Sequence, residues 1–457
     1  MKDTITSMQK LTLLMAITAG NLLAALPEAP LNQQVESIVS QVSADRIADI
    51  QKKLESFGTR NIYSSTTDPE HGIGAAREWI AAQFRSYSPK LQVSFDKHRL
   101  AKQGRAFRNV EIWNVVATLP GTDEADHHVL ITGHYDSLDM VFRKGPDGRR
   151  ELDPEATVAA PAPGVTDDGS GTAAVMELAR VMSQFQFRKT IVFIAFAAEE
   201  YGLFGSGLYA EDAAAKHELI DGVFNNDVIG SDVTGNGETT NRYVNVYSEE
   251  PMDSPSRELA RYMKHADERY QPGFDVHLVF RHDRFGRGGD HSPFNAEGYP
   301  AVRVTTPMEN FSNQHTATDT FANTAPAYTA LVAKANASAV ASLALAPETP
   351  VIPARPATGG RAFASPLTRG SGYDAVMKWE SPSPDPDRLG YAIVMRKTTA
   401  PDWQNEIFVG NVDEYTLHNV NIDEVVLGVK SVGKDGCDSP VAAYVVPPYH
   451  QHKIETY

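Results

Sequence analysis

Residues 190–200 read Thr-Ile-Val-Phe-Ile-Ala-Phe-Ala-Ala-Glu-Glu. The first nine are apolar at nearly every position, so an extended segment would be apolar on both faces. Strands of that kind are buried on both sides, as parallel central strands are when helices cover the sheet. Upstream, Thr172–Met182 places Ala174, Val175, Leu178, Val181 and Met182 on one helical stripe. Before that stripe, Val129–Thr132 is another short apolar run. Strand, helix, strand in that order is a βαβ unit. It predicts an α/β fold, a doubly wound, mainly parallel sheet with helices on both faces. Ile112–Thr118 and Gly222–Ile229 are further strand candidates, and residues 33–57 and Ala75–Phe84 carry helical spacing.

Polar chemistry gathers where these runs end. Gly133-His134-Tyr135-Asp136-Ser137 follows one strand, and Glu199-Glu200-Tyr201-Gly202 follows another. Asp167-Asp168-Gly169-Ser170-Gly171 opens the amphipathic helix. Asn225-Asn226-Asp227 lies in the fourth run, and His315-Thr316-Ala317-Thr318-Asp319 follows a loop. In open α/β sheets ligands bind at the carboxyl ends of strands. Taken singly, each segment has an ordinary reading: a surface histidine, or an aspartate capping a helix. Asp-Gly-Ser-Gly lacks the Lys-Ser/Thr that a phosphate-binding loop needs. Glu199-Glu200 is sharper. Two adjacent carboxylates after a wholly apolar run repel each other and are partly desolvated, and a bound cation relieves both effects. Imidazoles with carboxylates form a nitrogen–oxygen donor set suited to zinc, cobalt or manganese. A catalytic zinc takes about three protein ligands plus water. Two His, two Asp and one Glu exceed that, and they suffice for two ions if one carboxylate bridges.

The 457 residues carry 42 basic and 58 acidic side chains, a net charge of −16. So acidic a chain is a poor general binder of nucleic acid or of anionic membranes. Cys437 is the only cysteine, which excludes an intrachain disulfide and a Cys-rich zinc ribbon. At the N-terminus, Lys2 and Lys10 precede an apolar run, Leu11–Ala19, that resumes through Leu26 before Pro27 and Pro30. This predicts a signal peptide over residues 1–26 and export to the periplasm or the medium. The run is too short to span a bilayer, so no membrane span is expected after signal removal. The texture changes near residue 346. Pro347, Pro350, Pro353, Pro356 and Pro366 predict a stiff linker over 346–370. Six short β-rich runs then predict a small β-sandwich over 371–449: Tyr373–Trp379, Tyr391–Arg396, Ile407–Val412, Tyr415–Leu417, Val425–Val432 and Val441–Val446. Residues 31–345 are the main domain. Nothing in the sequence sets an oligomeric state.

GHYDS, DDGSG, AAEEYGLFGS, NND and HTATDT, in that order, resemble the co-catalytic zinc aminopeptidases of the aminopeptidase Y and bacterial leucyl aminopeptidase family. The likeness runs from about residue 50 to 345. It takes in Gly288-Gly289-Asp290-His291-Ser292-Pro293-Phe294 and Gly298-Tyr299-Pro300-Ala301. Tyr391–Arg396 and Gly428–Val432 resemble a fibronectin type III-like domain. The resemblance implies two Zn2+ per chain. His134 and Asp227 hold one, Glu200 and His315 hold the other, and Asp167 bridges both. It implies a cis Asp167–Asp168 peptide, Asp136 orienting His134, and Glu199 as the general base that moves a proton from water to the leaving amine. The substrates would be peptides with a free N-terminus. In some relatives a tyrosine in a disulfide-tied loop helps hold the oxyanion. Here Phe285-Gly286-Arg287-Gly288-Gly289 has neither, which leaves Arg284 or Arg287 as candidates. Leu138–Gly164 is an insertion that either lines the cleft or forms a flap. A carboxypeptidase or a glutaminyl cyclase of the same clan is an alternative, and a non-catalytic binding protein on a peptidase fold is another. An intact Glu199 speaks against the last.

Overall fold

The computed structural model describes residues 30–249, 253–282, 287–353, 367–369 and 373–445. The predicted signal peptide, Arg284, Phe285, Gly286, most of the proline-rich stretch and Val446 lie outside the described residues.

The described residues open with three helices, α1 (Gln33–Ser40), α2 (Ala44–Glu55) and α3 (Gly72–Tyr87). The sequence predicts helix throughout 33–57, but Ser43 caps a new start by accepting from the Arg46 amide, so α1 and α2 are separate. Next come β1 (Gln92–Leu100), β2 (Val110–Leu119) and β3 (Glu124–His134). The 138–164 insertion forms an exposed hairpin, β4 (Phe142–Lys144) with β5 (Arg150–Leu152), and a short α4 (Pro154–Ala159). Then follow α5 (Gly169–Met182), β6 (Lys189–Phe196), α6 (Phe204–Ala215) and β7 (Leu219–Asn226). The body closes with β8 (Tyr243–Ser248), α7 (Pro255–Tyr270), β9 (Asp275–Phe280), α8 (His291–Ala296), β10 (Ala301–Thr305) and α9 (Pro326–Leu345).

These strands form one eight-stranded sheet in the order β1-β2-β6-β3-β7-β10-β8-β9. The neighbours β6, β3, β7 and β10 pair in parallel, and β1 and β2 attach antiparallel at one edge. Every residue of β6 is buried. Ile191, Phe193 and Ala195 face one core, which contains α1, α2, α3, α5, α7 and α9. Val192, Ile194 and Phe196 face the other, against Ala210 and Ala213 of α6 and Phe294 of α8. The alternation explains the two-faced apolar run, because each face is worth about 1.5–3 kcal/mol per large side chain removed from water. No helix among the described residues is long and apolar enough to cross a membrane.

The tail holds β11 (Thr368–Arg369), β12 (Ala375–Lys378), β13 (Arg388–Lys397), β14 (Asn405–Gly410), β15 (Glu414–Leu417), β16 (Val425–Gly433) and β17 (Ala442–Ala443). They make two small sheets, β11-β12-β15 and β14-β13-β16-β17, around a shared core that includes Trp379, Tyr391 and Val429. The six predicted runs correspond to β12 through β17. Val351, read as linker, instead exchanges two backbone hydrogen bonds with Glu380, at 2.9 and 2.8 Å.

Candidate metal centre

The five acidic and histidine segments converge at the carboxyl edge of the parallel strands. His134 is the last residue of β3, Asp227 follows β7, Glu199 and Glu200 follow β6, and Asp167 precedes α5. His315 arrives on a loop with its backbone in the left-handed region, at φ 55°. Two triads of donor atoms result, each within 4.8 Å of one another: His134, Asp167 and Asp227, and Asp167, Glu200 and His315. Asp167 belongs to both. Its Oδ1 lies 3.3 Å from His134 Nε2, and its Oδ2 lies 3.0 Å from His315 Nε2. Asp227 Oδ1 is 3.7 Å from His134 Nε2, and Glu200 Oε2 is 2.9 Å from His315 Nε2. All five predicted ligand residues are therefore brought together.

The donor set fits a divalent pair on chemical grounds. Each triad offers one imidazole nitrogen and two carboxylates, the composition zinc accepts. His134 Nε2 and Glu200 Oε1 are buried without a hydrogen-bond partner, an expensive state unless a cation takes them up.

The surroundings fix the donors. The Asp167–Asp168 peptide is cis. The Asp168 carboxylate turns away from the triads and accepts from the amides of His134 (3.1 Å), Gly171 (2.8 Å) and Val228 (3.2 Å). It thus ties the ends of β3 and β7 to the start of α5. Gly171 is required there, since a Cβ would sit 2.3 Å from Asp168 Oδ2 and 2.4 Å from the Asn226 carbonyl. The Asp136 carboxylate accepts from the Glu199 amide at 3.2 Å and lies 3.4 Å from that of Glu200, which sets the turn after β6. His134 Nδ1 lies 3.1 Å from the Asp136 backbone carbonyl and 3.5 Å from its carboxylate. The nearer acceptor is thus the carbonyl, which orients a metal-facing imidazole equally well. Glu199 belongs to neither triad, and burial together with the Asp227 and Glu200 charges raises its carboxyl well above the usual range.

Several supporting residues have no signature in the sequence. Asp319 accepts from the Thr166 and Asp167 amides at 3.0 Å, and Gln314 Nε2 donates to Asp167 Oδ2 at 2.8 Å. Buried Arg60 donates to the carbonyls of Tyr135, Pro163 and Gly164 at 2.6, 2.6 and 2.7 Å, so it ties the loop before the insertion to the insertion's end. The insertion also meets the site directly, because the Met140 amide donates to the His315 carbonyl at 3.1 Å. Arg287 Nη1 lies 3.0 Å from both carboxylate oxygens of Glu309. Asp319 and Arg287 stand within segments quoted from the sequence. The others are ordinary residues that tertiary contact recruits.

Proton uptake is a measurable consequence. Burial disfavours a charged imidazole, but Glu200 and Asp167 outweigh it and push His315 up to about 11. His134 is likewise raised well above its ordinary value, with Asp136, Asp167 and Asp227 overcoming burial. His315 is thus protonated at neutral pH in the metal-free protein and His134 is shifted in the same direction, whereas a ligand nitrogen must be neutral. Loading the stripped protein with zinc at pH 7 should therefore release protons. Calorimetric titrations in buffers of different ionisation enthalpy measure this, and a release near zero would show that the imidazoles are not the ligands.

Comparison with known proteins adds to this geometry. Residues 114–340, which contain all seven candidate site residues, match the sequence profile of Peptidase family M28. A probable zinc metalloprotease of Leptosphaeria maculans is 34% identical over 446 residues, spanning 91% of this chain and 97% of that protein. Another, from Pyricularia oryzae, is 36% identical over 453 residues, spanning 91% and 84%. Among solved structures, the LapA aminopeptidase of Legionella pneumophila aligns with a TM-score of 0.51 at 20% identity, over 70% of this chain and 78% of that one. At that identity the likeness speaks for the fold alone.

Proposed function

The chain belongs to peptidase family M28, and from that premise we propose that it is a zinc-dependent aminopeptidase that releases N-terminal residues from peptides. The observation that carries this reading is the pair of triads sharing Asp167, with Glu199 beside them and outside both. The relatives named above as probable zinc metalloproteases support zinc as the metal.

In this reading His134, Asp167 and Asp227 hold one ion, and Asp167, Glu200 and His315 hold the other. Bound there, zinc supplies Lewis acidity towards the scissile carbonyl and lowers the pKa of water towards neutrality. The protein's own part in the proton transfer falls to Glu199. Its raised carboxyl suits a group that accepts a proton from the attacking water and returns it to the leaving amine. Asp136 holds the backbone of Glu199 in place while its carbonyl fixes the His134 ring. A substrate ammonium is drawn to a floor built from carboxylates, and this favours a free N-terminus over a free C-terminus. Arg287 is steadied by Glu309 and is the described arginine of the 284–287 pair proposed to meet the oxyanion. We further read residues 1–26 as a secretory leader and the tail as a fibronectin type III-like module.

The test is a panel of aminoacyl anilides and matched peptides with free or acetylated N-termini, each with and without chelator. Release from free N-termini alone, abolished by chelator and restored by zinc, is the expected result. Release of C-terminal residues from acetylated peptides would instead indicate a carboxypeptidase. Cyclisation of N-terminal glutamine with one bound zinc would indicate a glutaminyl cyclase. No turnover by the zinc-loaded protein would leave the binding-protein reading.

A further inference from the structure

The tail is joined to the body through charges that are almost wholly buried. Arg396, on β13, and Arg261, on α7, are each 2% exposed. Both guanidinium groups donate to Asp253 Oδ1, which lies just before α7, the Arg261 contact at 3.3 Å. Arg261 also pairs with Glu258 and donates to the Pro401 carbonyl at 2.7 Å, and Trp403 Nε1 donates to Glu258 Oε2 at 3.0 Å. The tail therefore grips the first turns of α7.

Those turns in turn hold the wall of the metal centre. Ser254, the residue that caps α7, donates to the Glu249 carbonyl at 3.0 Å. The Glu249 carboxylate accepts from Ser292 Oγ at 2.8 Å and pairs with His291 Nε2 at 3.2 Å and His282 Nδ1 at 3.1 Å. Ser256 bonds Asn295 at the far end of α8 and accepts from the Ala301 amide at 3.2 Å. Residues 289–292 run from this knot to the metal ligands. Gly289 is packed so closely that a Cβ would sit 3.1 Å from Asp227 Oδ2. From Arg396 to Asp227 the links are short polar contacts, a close packing contact and the short chain stretches 253–254 and 289–292 between them, a contiguous network of the kind that carries coupling.

We propose that Arg396 of the tail is a positioning residue for the metal centre, acting through Asp253 and the Glu249–His291–Ser292 knot to fix the segment that walls Asp227. Its kinetic consequence rests on the aminopeptidase activity proposed above. A second tail contact supplies a control. Arg188 bonds Asp385 at 3.0 and 2.9 Å and Asp387 at 3.3 Å. It precedes Lys189, where β6 starts, and so lies at the opposite edge of the sheet from the donors. Loosening the tail there leaves the α7 route untouched.

The experiment compares Arg396→Gln, Arg396→Lys, Glu249→Gln and Arg188→Gln in the full-length, zinc-loaded chain. Zinc content, thermal midpoint, amide hydrogen exchange over 287–296, and kcat and KM on an aminoacyl anilide are measured. Arg396→Gln and Glu249→Gln should speed exchange over 287–296 and lower kcat/KM by about 2- to 30-fold, the range seen for positions that modulate coupling. Arg396→Lys, which keeps a charge for Asp253, should recover most of both. Arg188→Gln should lower the thermal midpoint while leaving exchange over 287–296, kcat and KM as they were. If Arg396→Gln does not fold, Arg396→Lys carries the comparison, with a smaller change of the same kind. Unchanged exchange in the folded Arg396 variants, or an equal change in Arg188→Gln, would overturn the proposal. If the parent protein shows no turnover, the activity reading fails while the exchange comparison still decides the positioning role.

Discussion

Glu199→Gln should lower turnover by about two to four orders of magnitude, the usual worth of a general base, with both metal positions still filled. The substitution keeps size and hydrogen-bonding capacity and removes only the ability to accept a proton. Its neighbour provides the contrast. Glu200 Oε2 lies 2.9 Å from His315 Nε2 within a donor triad, while Glu199 is in neither triad. Glu200→Gln should therefore weaken one ion, and added zinc should recover part of its activity. The two backbones are held alike, since both amides point to the Asp136 carboxylate, so a difference between the variants reports on the side chains. Metal analysis and turnover on both variants make the measurement. Metal loss in Glu199→Gln with both ions kept in Glu200→Gln would reverse the roles.

The central βαβ unit was legible because β6 is buried on both faces and α5 carries apolar residues at helical spacing, although the fold buries α5 all round except at Arg180. These are patterns that burial alone imposes on a sequence. Four of the ligand residues, His134, Asp167, Glu200 and Asp227, were legible because each sits beside a strand end or helix start that those patterns locate, whereas His315 lies on a loop and was marked by its HTATDT segment alone. The edges of the sheet were not. β1 reads Gln-Val-Ser-Phe-Asp-Lys-His-Arg-Leu and is largely solvent-facing, so no apolar run marks it. β8 buries only alternate residues, Val244, Val246 and Ser248, and the last of these is polar. The residues that hold the centre together were hidden for a different reason. Arg60, Asp319 and Gln314 act through backbone amides, carbonyls or a single carboxylate oxygen contributed by distant segments. Only the folded chain brings those partners within reach. The same holds for Arg396, which in sequence is an ordinary charge at the end of a strand. Its value comes from Asp253, 143 positions away.

Asp167→Asn should empty the centre more completely than loss of either histidine. Removal of His134 takes one nitrogen from one triad, and removal of His315 takes one from the other. His134→Ala and His315→Ala should therefore each reduce zinc from about two ions towards one. Asp167 serves both triads at once, through Oδ1 towards His134 and Oδ2 towards His315. An asparagine keeps one carbonyl oxygen but presents an amide nitrogen at the other position, which cannot act as a ligand in its ordinary form. The backbone should not move, because Asp319 binds the Thr166 and Asp167 amides and Asp168 still staples the strands to α5. Zinc content below about one ion per chain is expected, with a loss of activity beyond the roughly 10- to 100-fold that changes around a ligand cost. The proton count offers a second reading of the same variant. Without the Asp167 carboxylate His315 keeps Glu200 as its neighbour but loses one source of its raised pKa, so less proton should leave on zinc addition. An Asp167→Asn protein that retains two zinc ions would show that the carboxylate is a hydrogen-bond partner of the two imidazoles and not a bridge between metals.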